Sequence, residues 1–105
     1  MQKLSSEIKH KIFDYKLLER NEHCAMYSQN FEGELIGIEV FAIKIQKETD
    51  IVMGGNTIHL IEKELFPSDN DFGVTAFSVG KDMVKANKRF IKLTQNEITR
   101  KSKLS

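Results

Sequence analysis

Apolar residues recur at two different periods along this chain, and the change of period divides it. From Phe13 the order Phe13-Asp14-Tyr15-Lys16-Leu17 alternates apolar and polar. That is the period of a half-buried strand, so residues 13–20 read as extended. Asn21-Glu22-His23 follows as a turn. Residues 24–29 then alternate again, with Ala25 and Tyr27 opposed to Cys24 and Met26, and the two runs read as a hairpin. After the break at Asn30-Phe31-Glu32-Gly33 comes the strongest strand, residues 34–46. Leu35, Phe41, Ile43 and Ile45 fall on one of its faces, and Ile36, Ile38, Val40 and Ala42 on the other. A strand apolar on both sides is a central one, covered above and below. Glu39 interrupts an apolar face beside Gly37, and glycine inside a strand often marks a bulge or a close backbone approach.

Residues 47–57, with Lys47-Glu48-Thr49-Asp50 and Gly54-Gly55-Asn56, read as a loop with Ile51-Val52-Met53 packing back. Residues 57–66 read as extended, Pro67-Ser68-Asp69-Asn70-Asp71 as a turn cluster, and residues 74–79 as a strand. The first segment is ambiguous. Ser5 or Ser6 is placed to cap a helix with Ile8, Ile12 and Tyr15 at helical spacing, and the same residues serve as a short lead into the strand. The last element is the clearest helix, residues 82–94, with Asp82 suited to its N-terminal turn. At about 100° per residue, Met83, Ala86, Phe90 and Leu93 share one face. Lys81, Lys85, Lys88 and Lys92 form a stripe on the opposite face with Arg89 at its edge. After Thr94 the chain turns polar and basic, as a frayed tail does. The fold class expected is α+β, a small antiparallel sheet of four to five strands packed on one C-terminal amphipathic helix. Residues 1–94 form a single domain in this reading and residues 95–105 a basic tail. An N-terminal helix with fewer strands is the alternative.

Composition adds the scale and the charge. At 105 residues, one domain of this size buries only about 60–70% of the surface its unfolded chain exposes, which favours a binding module over a deep catalytic cleft. The 40% hydrophobic and 30% charged residues are the balance of an ordinary globular protein. No apolar run reaches the length of a membrane span, and Met1 to Glu7 lacks the apolar stretch of a secretory signal. Cys24 is the single cysteine, so it forms no internal disulfide, which fits a reducing cytoplasm. The net charge of +1 conceals a split. Residues 81–105 carry eight basic and two acidic side chains, and residues 1–80 carry eight basic and thirteen acidic. Such polarity suits an acidic partner, either nucleic acid or an acidic protein face. The basic residues are thirteen Lys and three Arg, and lysine makes point contacts with phosphate where specific base reading favours arginine. Lys81, Lys85, Lys88, Arg89 and Lys92 are therefore the candidate partner-binding residues. An unpaired strand edge near residues 24–29 leaves monomer and dimer both open.

Candidate chemistry is sparse. His23 and Cys24 are neighbours, but neighbours in a strand point to opposite faces, so Cys24 reads as a buried small hydrophobe rather than half of a dyad. His59 with Glu62 and Glu64 lacks recognisable metal-ligand spacing, and no CxxC or HExxH occurs. Asp69-Asn70-Asp71 with Gly73 fails the pattern of a calcium loop, since its sixth and twelfth positions would be Val74 and Gly80. Phe13, Tyr15, Tyr27, Phe41 and Phe77 are possible stacking rings for a single strand, with core packing as the more ordinary account. No catalytic residue, metal or cofactor is expected.

The run Gly33-Glu34-Leu35-Ile36-Gly37-Ile38-Glu39-Val40-Phe41-Ala42-Ile43-Lys44-Ile45 resembles a core segment of small, mostly uncharacterised proteins of phages and prophages. So do Pro67, Asp71-Phe72-Gly73, Ala76-Phe77, Ala86 and Phe90 after it; the likeness covers residues 13–93. Ile38 stands where that group commonly has an aromatic, and Phe77 where Trp is common. The resemblance implies a mobile-element origin, no known enzyme activity and no transferable functional residue. By analogy with other small phage proteins of polarised charge, it implies a protein acting in the host cytoplasm on a host protein or ribonucleoprotein, with possible RNA contact through the basic helix. The sharpest expectation is an inhibitor of a CRISPR effector.

Overall fold

The computed structural model describes residues 1–104 and contains nine strands, one short 3-10 turn (Asp69–Asp71) and one α-helix among them. Strands β1 (Glu7–His10), β2 (Phe13–Arg20), β3 (Cys24–Phe31), β4 (Glu34–Ala42) and β9 (Ala76–Ser78) make a five-stranded antiparallel sheet in the order β1-β2-β3-β4-β9. Two ribbons flank it: β5 (Lys44–Gln46) pairs with β8 (Lys63–Leu65), and β6 (Thr49–Met53) pairs with β7 (Asn56–Leu60). Helix α1 spans Met83–Leu104. The α+β class and the packing of one C-terminal helix on the sheet are as the sequence indicates.

The dual apolar character of β4 has the consequence expected of it. One sheet face offers Cys24, Met26, Ile38, Val40 and Ala42 to Ala86, Phe90 and Leu93 of α1. The other gathers Tyr15, Ala25, Tyr27, Phe41 and Ile43 under Phe66, Leu4 and Phe72. Phe66 is the hub there, with its ring 4.9 Å from Tyr15 and 5.4 Å from Phe41, centre to centre. A register shift opposite Ile36, next to Gly37, is the bulge anticipated there.

Four expectations are corrected. The ambiguous first segment is strand β1, not a helix: Ile8 sits opposite Tyr15 and packs on the aromatic face, and this tertiary contact outweighs a spacing that also fits a helix. The supposed loop at residues 47–57 holds most of a hairpin, β6 and β7, turning at Gly54-Gly55, whose φ values of 57° and 82° are open to glycine at little cost. The long strand ends at Ala42, and residues 44–46 leave the main sheet to pair with β8. Finally, β3 is bonded on both sides, so the edges of the sheet are β1 and β9, and residues 24–29 offer none for a dimer.

The helix also extends past Thr94, where a frayed tail was expected. Two contacts hold the extension. Glu97 is buried and takes a two-pronged bond from Arg100, at 3.0 and 3.1 Å, and Lys101 Nζ lies 3.0 Å from His23 Nδ1. Residue 105 of the expected tail lies outside the described residues.

Candidate basic interface

Helix α1 begins where Asp82 caps it. Asp82 Oδ1 accepts from the backbone N–H of Val84 at 2.9 Å and of Lys85 at 3.2 Å. This cap fixes the rotation of the first turn, and with it the heading of each lysine that follows. Ala86, Phe90 and Leu93 are buried against the sheet, while Met83, assigned to the same face, remains partly exposed at its margin.

The structure brings four of the five candidate residues together. Lys85, Lys88, Arg89 and Lys92 line one groove of about 480 Å³ with Ser78 and Val79, between α1 and the edge strand β9. Lys81 is exposed in the turn just before the helix, outside the groove lining. Arg89 is half-buried, its guanidinium 4.3 Å over the Phe77 ring, which holds that charge in place. Among the described residues, none of the five makes an ion pair. At about 100° per residue, Arg100 and Lys103 continue the same row. Arg100 is tied to Glu97, whereas Lys103 makes no ion pair among the described residues.

The aromatic rings are placed elsewhere. Tyr15, Tyr27 and Phe41 are buried, Phe13 packs against their cluster, and Phe77 is covered by Arg89. No ring of this set stands open on the sheet as a stacking platform for bases.

The remaining chemical candidates resolve into structural pairs. Glu64 is buried and receives Arg20 at 2.6 and 2.8 Å and the Leu4 N–H at 2.9 Å, and these bonds hold its carboxyl below the usual glutamate range. His59 faces Asp50 and Glu48 across the β6–β7 hairpin, at 2.6 and 3.2 Å, rather than Glu62 or Glu64. Among the described residues, no three His, Cys, Asp or Glu side chains are grouped as a metal site. Cys24 is fully buried, and burial pushes its thiol up, away from the reactive thiolate. In the turn at Asp69–Asp71, Asp71 Oδ2 accepts from the Ser68 N–H at 2.9 Å, and Lys11 and Lys44 pair with Asp69 and Asp71.

One buried group escaped the sequence reading as anything but an interruption. Glu39 is buried on the aromatic face, where its Oε1 accepts a long 3.5 Å bond from the Tyr15 hydroxyl and its Oε2 has no partner among the described residues. Burial raises the Glu39 carboxyl above its ordinary value. Burial and then the neighbouring carboxylate push the Tyr15 phenol up to about 12.

No helix among the described residues is long and apolar enough to cross a membrane. No protein-family model matches the chain, and no curated protein or solved structure is significantly similar to it.

Proposed function

We propose that the chain is a non-catalytic binding module that docks an acidic surface of a host macromolecule, a protein or a ribonucleoprotein, against the groove between β9 and α1. One observation carries this reading: Lys85, Lys88, Arg89 and Lys92 converge on a single open groove without an acidic partner among the described residues. Elsewhere the chain pairs its cations where they approach the core, as with Arg20 and Glu64. Unpaired like charges repel one another, and a polyanionic partner relieves that repulsion. Direct binding of a single strand through stacked bases is the weaker reading, because the rings it needs are in the core or under Arg89. The sharpest form of the proposal, a phage-encoded inhibitor of a CRISPR effector acting in the host cytoplasm, rests on the sequence resemblance alone.

The test is charge reversal with a fold control. Lys85→Glu/Lys88→Glu in the full chain should abolish binding to polyglutamate at about 50 mM salt and leave the circular dichroism spectrum unchanged. Unaltered affinity in a folded double variant removes this groove from the proposal. For the sharpest form, purified protein added to guide-loaded CRISPR nucleases should block target cleavage, and the double variant should not.

A further inference from the structure

A third face of α1 is neither packed on the sheet nor basic. Val84, Ile91 and Ile98 are 62%, 58% and 49% exposed. They stand seven residues apart, so on a helix they form one row that drifts by only about 20° per step. The row runs for about 21 Å along the side of α1 turned away from the sheet. One flank is the cation row, beginning with Lys88 and followed by Lys92 and Lys85, with Lys81 in the turn before the helix. The other flank, Asn87, Thr94 and Lys101, carries no acid, and Lys101 there is engaged by His23.

We propose that these adjoining rows, apolar beside basic, seat an acidic amphipathic helix of a partner protein. The partner's apolar residues would recur every seven positions against Val84, Ile91 and Ile98, and its Asp and Glu side chains would meet Lys81, Lys85, Lys88 and Lys92. The inference rests on the reading of the basic groove given above and narrows it to one class of partner. Three arguments select that class. A nucleic-acid backbone satisfies the lysines but leaves the apolar row in water, and apolar surface is withdrawn from water only by an apolar partner. The seam has β-branched residues at one heptad position, and at the next the short, exposed Asn87 leaves room for a large side chain from the facing helix, while Thr94 and Lys101 farther along are engaged by Asn21 and His23. A second copy of this chain is a poor occupant: antiparallel pairing sets lysine flank against lysine flank, and parallel pairing sets it against a flank with no acid.

The test uses the full chain and two synthetic acidic helices of identical composition. One has leucines in heptad register and glutamates alongside; the other has the same residues in scrambled order. Fluorescence anisotropy should show the patterned helix binding about tenfold tighter or more than the scrambled one. Ile91→Ser should erase that advantage without changing affinity for polyglutamate, and Ile98→Ser should act in the same sense. Lys85→Glu/Lys88→Glu should remove both. Equal binding of the two helices, or indifference to both serine variants, overturns this inference and leaves the groove reading standing. Tighter binding of an RNA oligonucleotide than of either peptide overturns it in favour of nucleic acid. A dimer in sedimentation that Ile91→Ser abolishes assigns the row to a second copy and overturns it as well. Failure to bind any of these polyanions sinks the groove reading itself.

Discussion

Glu64 and Glu39 are both strand carboxylates withdrawn from water, 8% and 5% exposed, yet the protein treats them in opposite ways. Glu64 has a guanidinium and a backbone N–H to satisfy it, and it ties the N-terminal lead and β2 to β8. Glu39 has one long bond from a phenol and an oxygen with no partner among the described residues. Burial is costly to both, and only Glu64 recovers the cost through charged hydrogen bonds. A charge that serves the fold is recognisable by its partners, and the same criterion separates the two ends of α1. Arg100 and Lys101 are engaged by Glu97 and His23, whereas the lysines from 81 to 92 make no ion pair among the described residues.

The largest effect should come from breaking the satisfied pair. Arg20→Leu strands Glu64 without its guanidinium and should cost about 3 kcal/mol of stability in denaturant titration. Replacing both partners, Arg20→Leu with Glu64→Leu, should recover most of that loss, because no uncompensated charge remains. A single variant within about 1 kcal/mol of the parent would show that the pair is not a fastening.

The two carboxylates should also give pH profiles of opposite sign. Glu64 lies below its ordinary value of 4.5, chiefly through the Arg20 hydrogen bonds. Its contribution is complete above that pH and is lost as pH falls below it. Glu39 lies above 4.5, through burial. Its protonated form suits the fold, so its contribution is complete below 4.5 and is lost as pH rises through the raised value. Glu39→Gln keeps the shape and abolishes the titration. Its stability relative to the parent should therefore increase between pH 4 and pH 7, measured by thermal melts in matched buffers. A difference that stays flat across this interval would mean that Glu39 ionises freely in the folded protein.

Much of this architecture was legible from periodicity. The period-two runs marked β2 and β3, and the two apolar faces of β4 foretold a sheet covered on both sides. Strand β1 was not legible, since the spacing of Ile8, Ile12 and Tyr15 suits a helix and its pairing with β2 is a tertiary fact. The β6–β7 hairpin was hidden because most of its residues are exposed, so no alternation announces it; Gly54-Gly55 was the turn signal available. The basic row was visible in the sequence, but its meeting with β9 in a groove was not, because only the pairing of β9 with β4 brings Ser78 and Val79 beside Lys85. Glu64 and Arg20 lie 44 residues apart and carry no local sign of each other. The row of Val84, Ile91 and Ile98 was present at heptad spacing, yet which apolar side chains α1 buries depends on the sheet it meets.

The smallest effect on stability should be the most informative about the lysines. Lys85 is the third residue of α1, among backbone N–H groups whose partial positive charge disfavours a cation. Glutamate at that position would complement the helix dipole and stand three residues after the capping Asp82, the spacing of a capping box. Lys85→Glu should therefore raise stability by about 0.5 kcal/mol in thermal melts, and it should weaken polyanion binding in the same preparation. Stability and binding moving in opposite directions is the signature of a charge kept at some cost to the fold. If the variant melts earlier than the parent, Lys85 makes a stabilising contact of its own and belongs with Arg20 and Arg100 rather than with an interface.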